Sequence, residues 1–382
     1  MFSSVQRKCI STMNPVPLYV AATAHGFGHV TRLAAVVNAL LRRDPHVLPI
    51  FVTPAPRWLL ERYVEGKFLH RPRALDVGVV QPDGLQADLP ATLAALKAFK
   101  ASAAELIREE ADFIRAQGVP LVLADVPPIA AAIAQAAGIP CWMASNFGWD
   151  FIYQEYGPEF QPFVAWVREL YGQCDLLFRL PFSESMVASA VRSTSAFPRQ
   201  QEVGLTGSDP RYPPEEVAAQ LGLHPDQPRA LFTFGGLGVR GFPYERLQDF
   251  PDWQFLTFDP EAPPLPNLRV LDGRVWRPVD VMPLCRWVVS KPGYGTLAEA
   301  LRSRTPMACV TRSGFAESPL LVEGLQRYGW HRILSPEEFF QGSWDFLRDP
   351  AHPPQRPDGL DLQGNETLAA ALEAFLRGRD AG

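Results

Sequence analysis

The chain has 382 residues, 47% of them hydrophobic, and a formal net charge of −5. That length exceeds one ordinary core and predicts two domains, while the acidic balance and the lack of any dense Lys/Arg cluster exclude nucleic acid as a partner. The five cysteines (9, 141, 174, 285 and 309) are odd in number, widely spaced and free of CxxC, which excludes a disulfide framework or a zinc site and predicts a reducing, cytoplasmic setting.

Nowhere do 18 uncharged apolar residues run together, so no transmembrane segment is expected. The first twelve residues carry Arg7 and Lys8 without an apolar run, so no export leader is expected either, and Met13 is an alternative start.

Residues 18–22 (LYVAA) form a short β-rich run that leads into Thr23-Ala24-His25-Gly26-Phe27-Gly28-His29-Val30-Thr31-Arg32. Leu33, Val36, Val37, Leu40 and Leu41 then follow at helical spacing. With a second strand over 47–53, a βαβ unit opens the chain and predicts a parallel sheet. His25 and His29, flanking Gly26 and Gly28, sit on a turn that can reach a substrate, and histidine is the side chain most easily poised as a base near neutral pH. A capping or merely solvated His25 is the plain alternative.

An amphipathic helix over 93–116 reads as core-facing. A strand over 119–124 precedes Asp125-Val126-Pro127-Pro128, a helix over 129–137 closed by Gly138, and a strand over 139–144. Asp125 ends a parallel strand on the face where open α/β sheets bind ligands. There it either accepts the ring N–H of His29 or N-caps the helix opened by Pro127. Residues 147–173 are rich in aromatics, mostly core, with an acceptor cleft as the second reading. Residues 174–180 read as the last main strand of this half.

Residues 204–214 (GLTGSDPRYPP) are dense in turn formers and separate the halves. The expected domains are 1–205, 206–355 and a segment 356–382 whose helix packs back across the hinge. A strand over 230–234 ends in Gly235-Gly236-Leu237-Gly238, a loop offering N–H groups to an anion. Residues 288–301 (VVSKPGYGTLAEAL) repeat the pattern of strand, glycine turn and helix. Unpaired N–H groups at Gly295 and Thr296 lie at the positive end of a helix dipole, Lys291 adds a charge, and the Glu299 carboxylate suits a sugar diol. A strand over 306–311 then leads to Arg312 and Glu317.

Gly293 followed six residues later by Glu299, then by Pro306-Met307, resembles the donor-binding signature of the UDP-glycosyltransferases, and the same spacing is similar to that of the lipid II-forming N-acetylglucosaminyltransferase. Gly28-His29-Val30 resembles the GH(I/V) of glycosyltransferases. The longer HGFGHVTR and residues 144–153 (ASNFGWDFIY) resemble the glycosyltransferase-like N-terminal domain of plant arabinokinases, without the sugar-kinase domain.

The resemblance implies an α/β fold of the GT-B type, two facing Rossmann-like domains, each a mostly parallel sheet flanked by helices. It implies a hexosyltransferase-type, inverting, metal-independent enzyme with no cofactor. A nucleotide-sugar donor, UDP-linked, would be held by Gly293, Gly295, Thr296, Lys291 and the Gly235, Gly236, Leu237 loop at its diphosphate, and by Glu299 at its ribose. Trp276 and Met282 would hold its base, with Arg312 and Glu317 beside the sugar or phosphate. His29, oriented by Asp125, would take the acceptor's proton, and His25, Gly26, Gly28, Asn146 and Trp149 would stand on the acceptor side. The acceptor would be a small molecule or lipid, with peripheral membrane contact. Lys291 replaces the families' His or Arg, and Glu317-Ser318 replaces an acid–amide pair. Two rivals stand beside this reading, a UDP-sugar 2-epimerase and a non-catalytic nucleotide-sugar-binding protein.

Overall fold

Alternation of short apolar strands with amphipathic helices builds two parallel sheets. The computed structural model describes residues 15–23, 25–184 and 196–379, so Arg7, Lys8, Cys9, Met13 and Ala24 lie outside the described residues. The first sheet holds β1 (Val16–Ala22), β2 (Val47–Val52), β3 (Leu69–Arg71), β4 (Val122–Asp125), β5 (Cys141–Ser145), β6 (Leu176–Arg179) and β7 (Gln200–Glu202), in the order β3-β2-β1-β4-β5-β6-β7. The second holds β8 (Arg229–Phe232), β9 (Gln254–Thr257), β10 (Leu268–Val270), β11 (Trp287–Ser290), β12 (Met307–Val310) and β13 (His331–Leu334), in the order β10-β9-β8-β11-β12-β13. Every pairing between these strands is parallel.

The helices of the first half are α1 (Gly28–Arg43), α2 (Arg57–Tyr63), α3 (Leu89–Gln117), α4 (Ile129–Ala137), α5 (Trp149–Gln154) and α6 (Gln161–Tyr171). Those that follow are α7 (Pro214–Gln220), α8 (Pro278–Val281), α9 (Tyr294–Arg302), α10 (Glu317–Tyr328), α11 (Pro336–Gln341) and α12 (Gly364–Arg379).

Sequence explains these boundaries. Strand β1 is covered on both faces, so Leu18, Tyr19, Val20, Ala21 and Ala22 form one unbroken buried run, as central parallel strands do. Helix α3 starts where the Asp88 carboxylate accepts the Ala91 N–H at 2.9 Å, and stops at Gly118, whose φ of 63° favours glycine. On α1, Leu33, Val36, Val37 and Leu40 are buried, each worth about 1.5–3 kcal/mol relative to exposure. Helix α12 packs against α1, and its Phe375 ring lies 5.0 Å from Trp142 of β5, so the chain's last helix rests on the first half.

Residues 174–180, read as the last main strand of this half, hold β6, and a three-residue β7 that the sequence did not signal lies beyond it at the edge of the sheet. Its Gln-Gln-Glu composition carries no apolar alternation for a reader to find.

Strand order reverses between β1 and β4 in one sheet and between β8 and β11 in the other. Crevices at such switch points, at the carboxyl ends of the strands, are where open α/β sheets take ligands. Here the two face each other.

Candidate functional site

The turn after β1 carries His25 to His29, and the turn after β11 carries Lys291 to Thr296. Both line one cavity of about 90 Å³, together with Arg32, Gln81, the Gly235, Gly236, Leu237 loop after β8, and Arg312 and Glu317 after β12. The approach of the halves is close. A Cβ on Gly236 would lie 2.8 Å from the Phe27 ring, so only glycine admits that ring. A strap over residues 81–86 crosses from the first half: Gly84 N–H donates to Gly238 O at 2.9 Å, and Arg312 Nη1 donates to Gly84 O at 3.0 Å.

Asp125, at the end of β4, is fully buried. Its Oδ1 stands 2.9 Å from His29 Nδ1, so the capping role left open for Asp125 is not taken: Pro128 precedes α4 with no side-chain cap. Arg32, which the sequence did not single out, completes the cluster. Its Nε and Nη2 grip both carboxylate oxygens of Asp125, and its Nη1 donates to Asn146 Oδ1 at 2.8 Å. Burial opposes ionisation of Asp125, but the Arg32 guanidinium and the His29 ring hold its carboxyl below the usual range. The signal for Arg32 lay in its spacing, three residues after His29 and hence on the same helix face.

His25 accepts the Val79 N–H on Nδ1 at 3.3 Å, which leaves Nε2 as its N–H donor. Burial, then the Lys291 cation, keeps the ring neutral by lowering its pKa well below the usual value. His25 is therefore built to donate a hydrogen bond rather than to take a proton. Lys291 is pushed down to about 7, chiefly by burial and then by Arg312. Two cations and the N–H groups opening α1 and α9 converge on the cavity, which suits it to an anion.

Several expected residues stand back from the wall. Asn146 is buried behind Glu317, donating Nδ2–H to Glu317 Oε1 at 2.8 Å. Trp149 packs edge-on to His25 at 5.2 Å and donates its indole N–H to Asp76. Trp276 is buried, edge-on to the exposed Tyr212 at 6.1 Å, and Met282 is fully buried, so neither side chain offers the cavity a face for a base. Glu299 is buried too. Its surroundings are Arg277, Asp280 and Asp209, and burial raises its pKa to about 8. For Glu299 the reason is packing: α9 is wedged between α1, α8 and α10, and position 299 is buried beyond the half-buried Gly295 and Thr296 of its first turn.

Among the described residues no cluster of three or more His, Cys, Asp or Glu is placed to hold a metal ion. No helix among them is long and apolar enough to cross a membrane.

No family model matches the chain. In an alignment of 337 residues that covers 84% of this chain, it is 31% identical to the L-arabinokinase of Arabidopsis thaliana, of which it spans 31%. The chain thus covers about a third of the curated relative it matches. Among solved structures, CalG4, the calicheamicin glycosyltransferase, superposes with a TM-score of 0.58 at 17% identity, over 97% of this chain and 98% of that one. Arabidopsis thaliana UGT89C1 complexed with UDP gives 0.55 at 14% identity, over 96% and 94%. A protein of Listeria monocytogenes described as a UDP-N-acetylglucosamine 2-epimerase gives 0.54 at 14% identity, over 96% and 97%. The two-sheet α/β architecture expected from the sequence is present, the chain has the GT-B fold, and the resemblance to arabinokinases holds.

Proposed function

We propose that this chain is a glycosyltransferase that moves a sugar from a nucleoside-diphosphate donor, UDP-linked, to an acceptor hydroxyl, with inversion. The observation that carries this is the meeting of His29 and the turn 293–296 on one cavity from the switch points of two sheets. One side supplies a base, the other a cationic, N–H-rich seat for a leaving diphosphate. Neither alone would make a transferase.

In the proposed reaction the acceptor oxygen attacks the anomeric carbon and its proton passes to His29 Nε2, while Asp125 holds Nδ1–H. The bond from that carbon to the phosphate oxygen breaks, and its electron pair leaves with the diphosphate. Lys291, Arg312 and the amides opening α9 stabilise that charge, so a resident metal is not required. A donor is larger than the present cavity, since such sites enclose about 300–1,000 Å³. In this reading the halves part to admit it and close before transfer. The acceptor class we favour is a small molecule or a lipid presented at a membrane surface, with the reaction on the cytoplasmic side. In this reading the domains run 1–205 and 206–355, hinged near 204–214, with residues 356–382 returning to the first.

The likeness to the Listeria protein favours a second reading, 2-epimerisation of a UDP-sugar, which needs no acceptor. A thermal-shift panel of nucleotides and sugar nucleotides identifies the donor, and product analysis with and without acceptor separates the readings. Transfer or donor hydrolysis should vanish in His29→Ala. Wild-type turnover by that variant removes His29 from the mechanism, and an epimerised donor in place of a transferred sugar replaces the first reading by the second. Binding of UDP without any donor turnover would instead leave a nucleotide-sugar-binding protein.

A further inference from the structure

Arg32 joins more of the site than any other side chain. Its fork holds both oxygens of Asp125, with Nη2 at 2.6 Å from Oδ1, and its Nη1 holds Asn146. Two supports come from the opposite half. The guanidinium carbon lies 4.6 Å from the centre of the Tyr294 ring, within cation–π range, and Asn146 is fixed by Glu317 of α10. Both Tyr294 and Glu317 line the cavity beside the donor-side turn.

His29 Nδ1 has two neighbours that demand opposite tautomers. Donating to Asp125 Oδ1 at 2.9 Å leaves Nε2 free to take a proton. Accepting from Arg32 Nη2, 3.1 Å away, puts the proton on Nε2 and removes the base. With the halves in contact, Nη2 is committed to Asp125 at the shorter distance, and the first arrangement is favoured. Parting of the halves would take the Tyr294 ring from Arg32 and the Glu317 carboxylate from Asn146, leaving the fork held by Asp125 alone and freer to turn toward the imidazole.

We propose that Arg32 is a positioning residue that makes the His29 base available only while the two halves are in contact. The proposal rests on the transferase reading above. Besides Asp125 and Arg32, the charged or titratable groups around His29 are His25 on its own turn and Lys291, Tyr294, Arg312 and Glu317 from the other half.

The test uses the full chain and two variants. Asn146→Ala removes the tie to Glu317 and with it one support of the Arg32 fork against Asp125; Arg32→Gln removes the cation itself. Asn146→Ala should lower kcat by about tenfold or more, since misplacement of about 1 Å costs up to ~10²-fold, with UDP affinity by calorimetry unchanged. In Arg32→Gln the acidic limb of the pH–rate profile should move to higher pH, because the guanidinium that holds the Asp125 carboxyl down is gone. A purely structural role would lower the melting temperature without moving that limb.

Wild-type kcat and an unmoved limb in Asn146→Ala, together with an unmoved limb in a folded Arg32→Gln, would overturn the proposal. If Arg32→Gln does not fold, Asn146→Ala decides alone. If wild type neither binds UDP nor turns a donor over, the transferase reading fails instead. The ring-nitrogen shifts of His29 in ¹⁵N-histidine-labelled protein then judge the tautomer directly: Nδ1–H in wild type moving toward Nε2–H in Asn146→Ala supports the coupling, and no change between them sinks it.

Discussion

Gly28 and Gly295 meet head-on. A Cβ built on Gly295 would lie 3.1 Å from Gly28 Cα, and one built on Gly28 would lie 3.7 Å from Gly295 N. Because α1 opens at Gly28 and α9 at Tyr294, two positive helix ends converge from different sheets. Like partial charges gathered in this way favour an anion between them. Gly295→Ala should push the halves apart at a cost of about 1–3 kcal/mol to the closed arrangement, the usual range for overpacking. The expected readout is a lower kcat with nucleotide affinity retained. Unchanged kcat would mean that closure to this distance is not needed for turnover.

Gly84 is pinched in the same way. Its Cβ would lie 2.7 Å from Gly238 O and 3.1 Å from Lys291 Cδ, so alanine cannot be accommodated without moving the strap. Gly84→Ala should loosen residues 81–86 from the donor-side loops and speed UDP release in stopped-flow displacement. A release rate equal to wild type would show that the strap does not gate the site.

Lys291 gives a proton-coupling prediction. With its folded pKa held near 7 by burial and Arg312, the amine is largely neutral above that pH. A bound diphosphate favours the ammonium and should draw in about one proton per site around pH 8. Calorimetry of UDP in buffers of different ionisation enthalpy measures this uptake, and Lys291→Met should abolish it. Equal heats in all buffers for wild type would contradict the placement of Lys291 beside the phosphates.

Glu299 sets stability against pH. Its folded pKa of about 8 lies above the ordinary 4.5, so the native chain binds the extra proton between those values. The contribution is fully present below the unfolded pKa and is lost as pH rises through the folded one. The slope reaches at most about 1.4 kcal/mol per pH unit. Glu299→Gln cannot ionise, so its stability relative to wild type should grow between about pH 5 and about pH 8. Parallel urea-denaturation curves for the two proteins across that window would show that Glu299 ionises freely.

The sheets were legible because central parallel strands are continuous apolar runs and because each functional turn is flanked by glycines. His29 and Asp125 could be paired on paper since each follows a strand at the expected end. Arg32 was passed over although its spacing puts it on the helix face of His29, because no strand end or glycine turn marks it and its grip on Asp125 and Asn146 is made only in the fold. The pairing of Asn146 with Glu317 spans 171 residues and both halves. Glu299 was misplaced at the cavity wall for a related reason. Spacing fixes the helix on which a residue sits, but the packing of α9 against three other helices decides which of its residues stay open. Strands β3, β7 and β13 are three or four residues long with mixed polarity, too short for a period-2 signal.

Calorimetric titration of the full chain with UDP most directly tests whether the facing turns hold a nucleoside diphosphate. Saturable binding to wild type, retained in His29→Ala and lost in the double variant Lys291→Met, Arg312→Met, is the predicted result. A folded wild type that does not bind UDP, or a double variant that binds it equally well, would contradict the assignment.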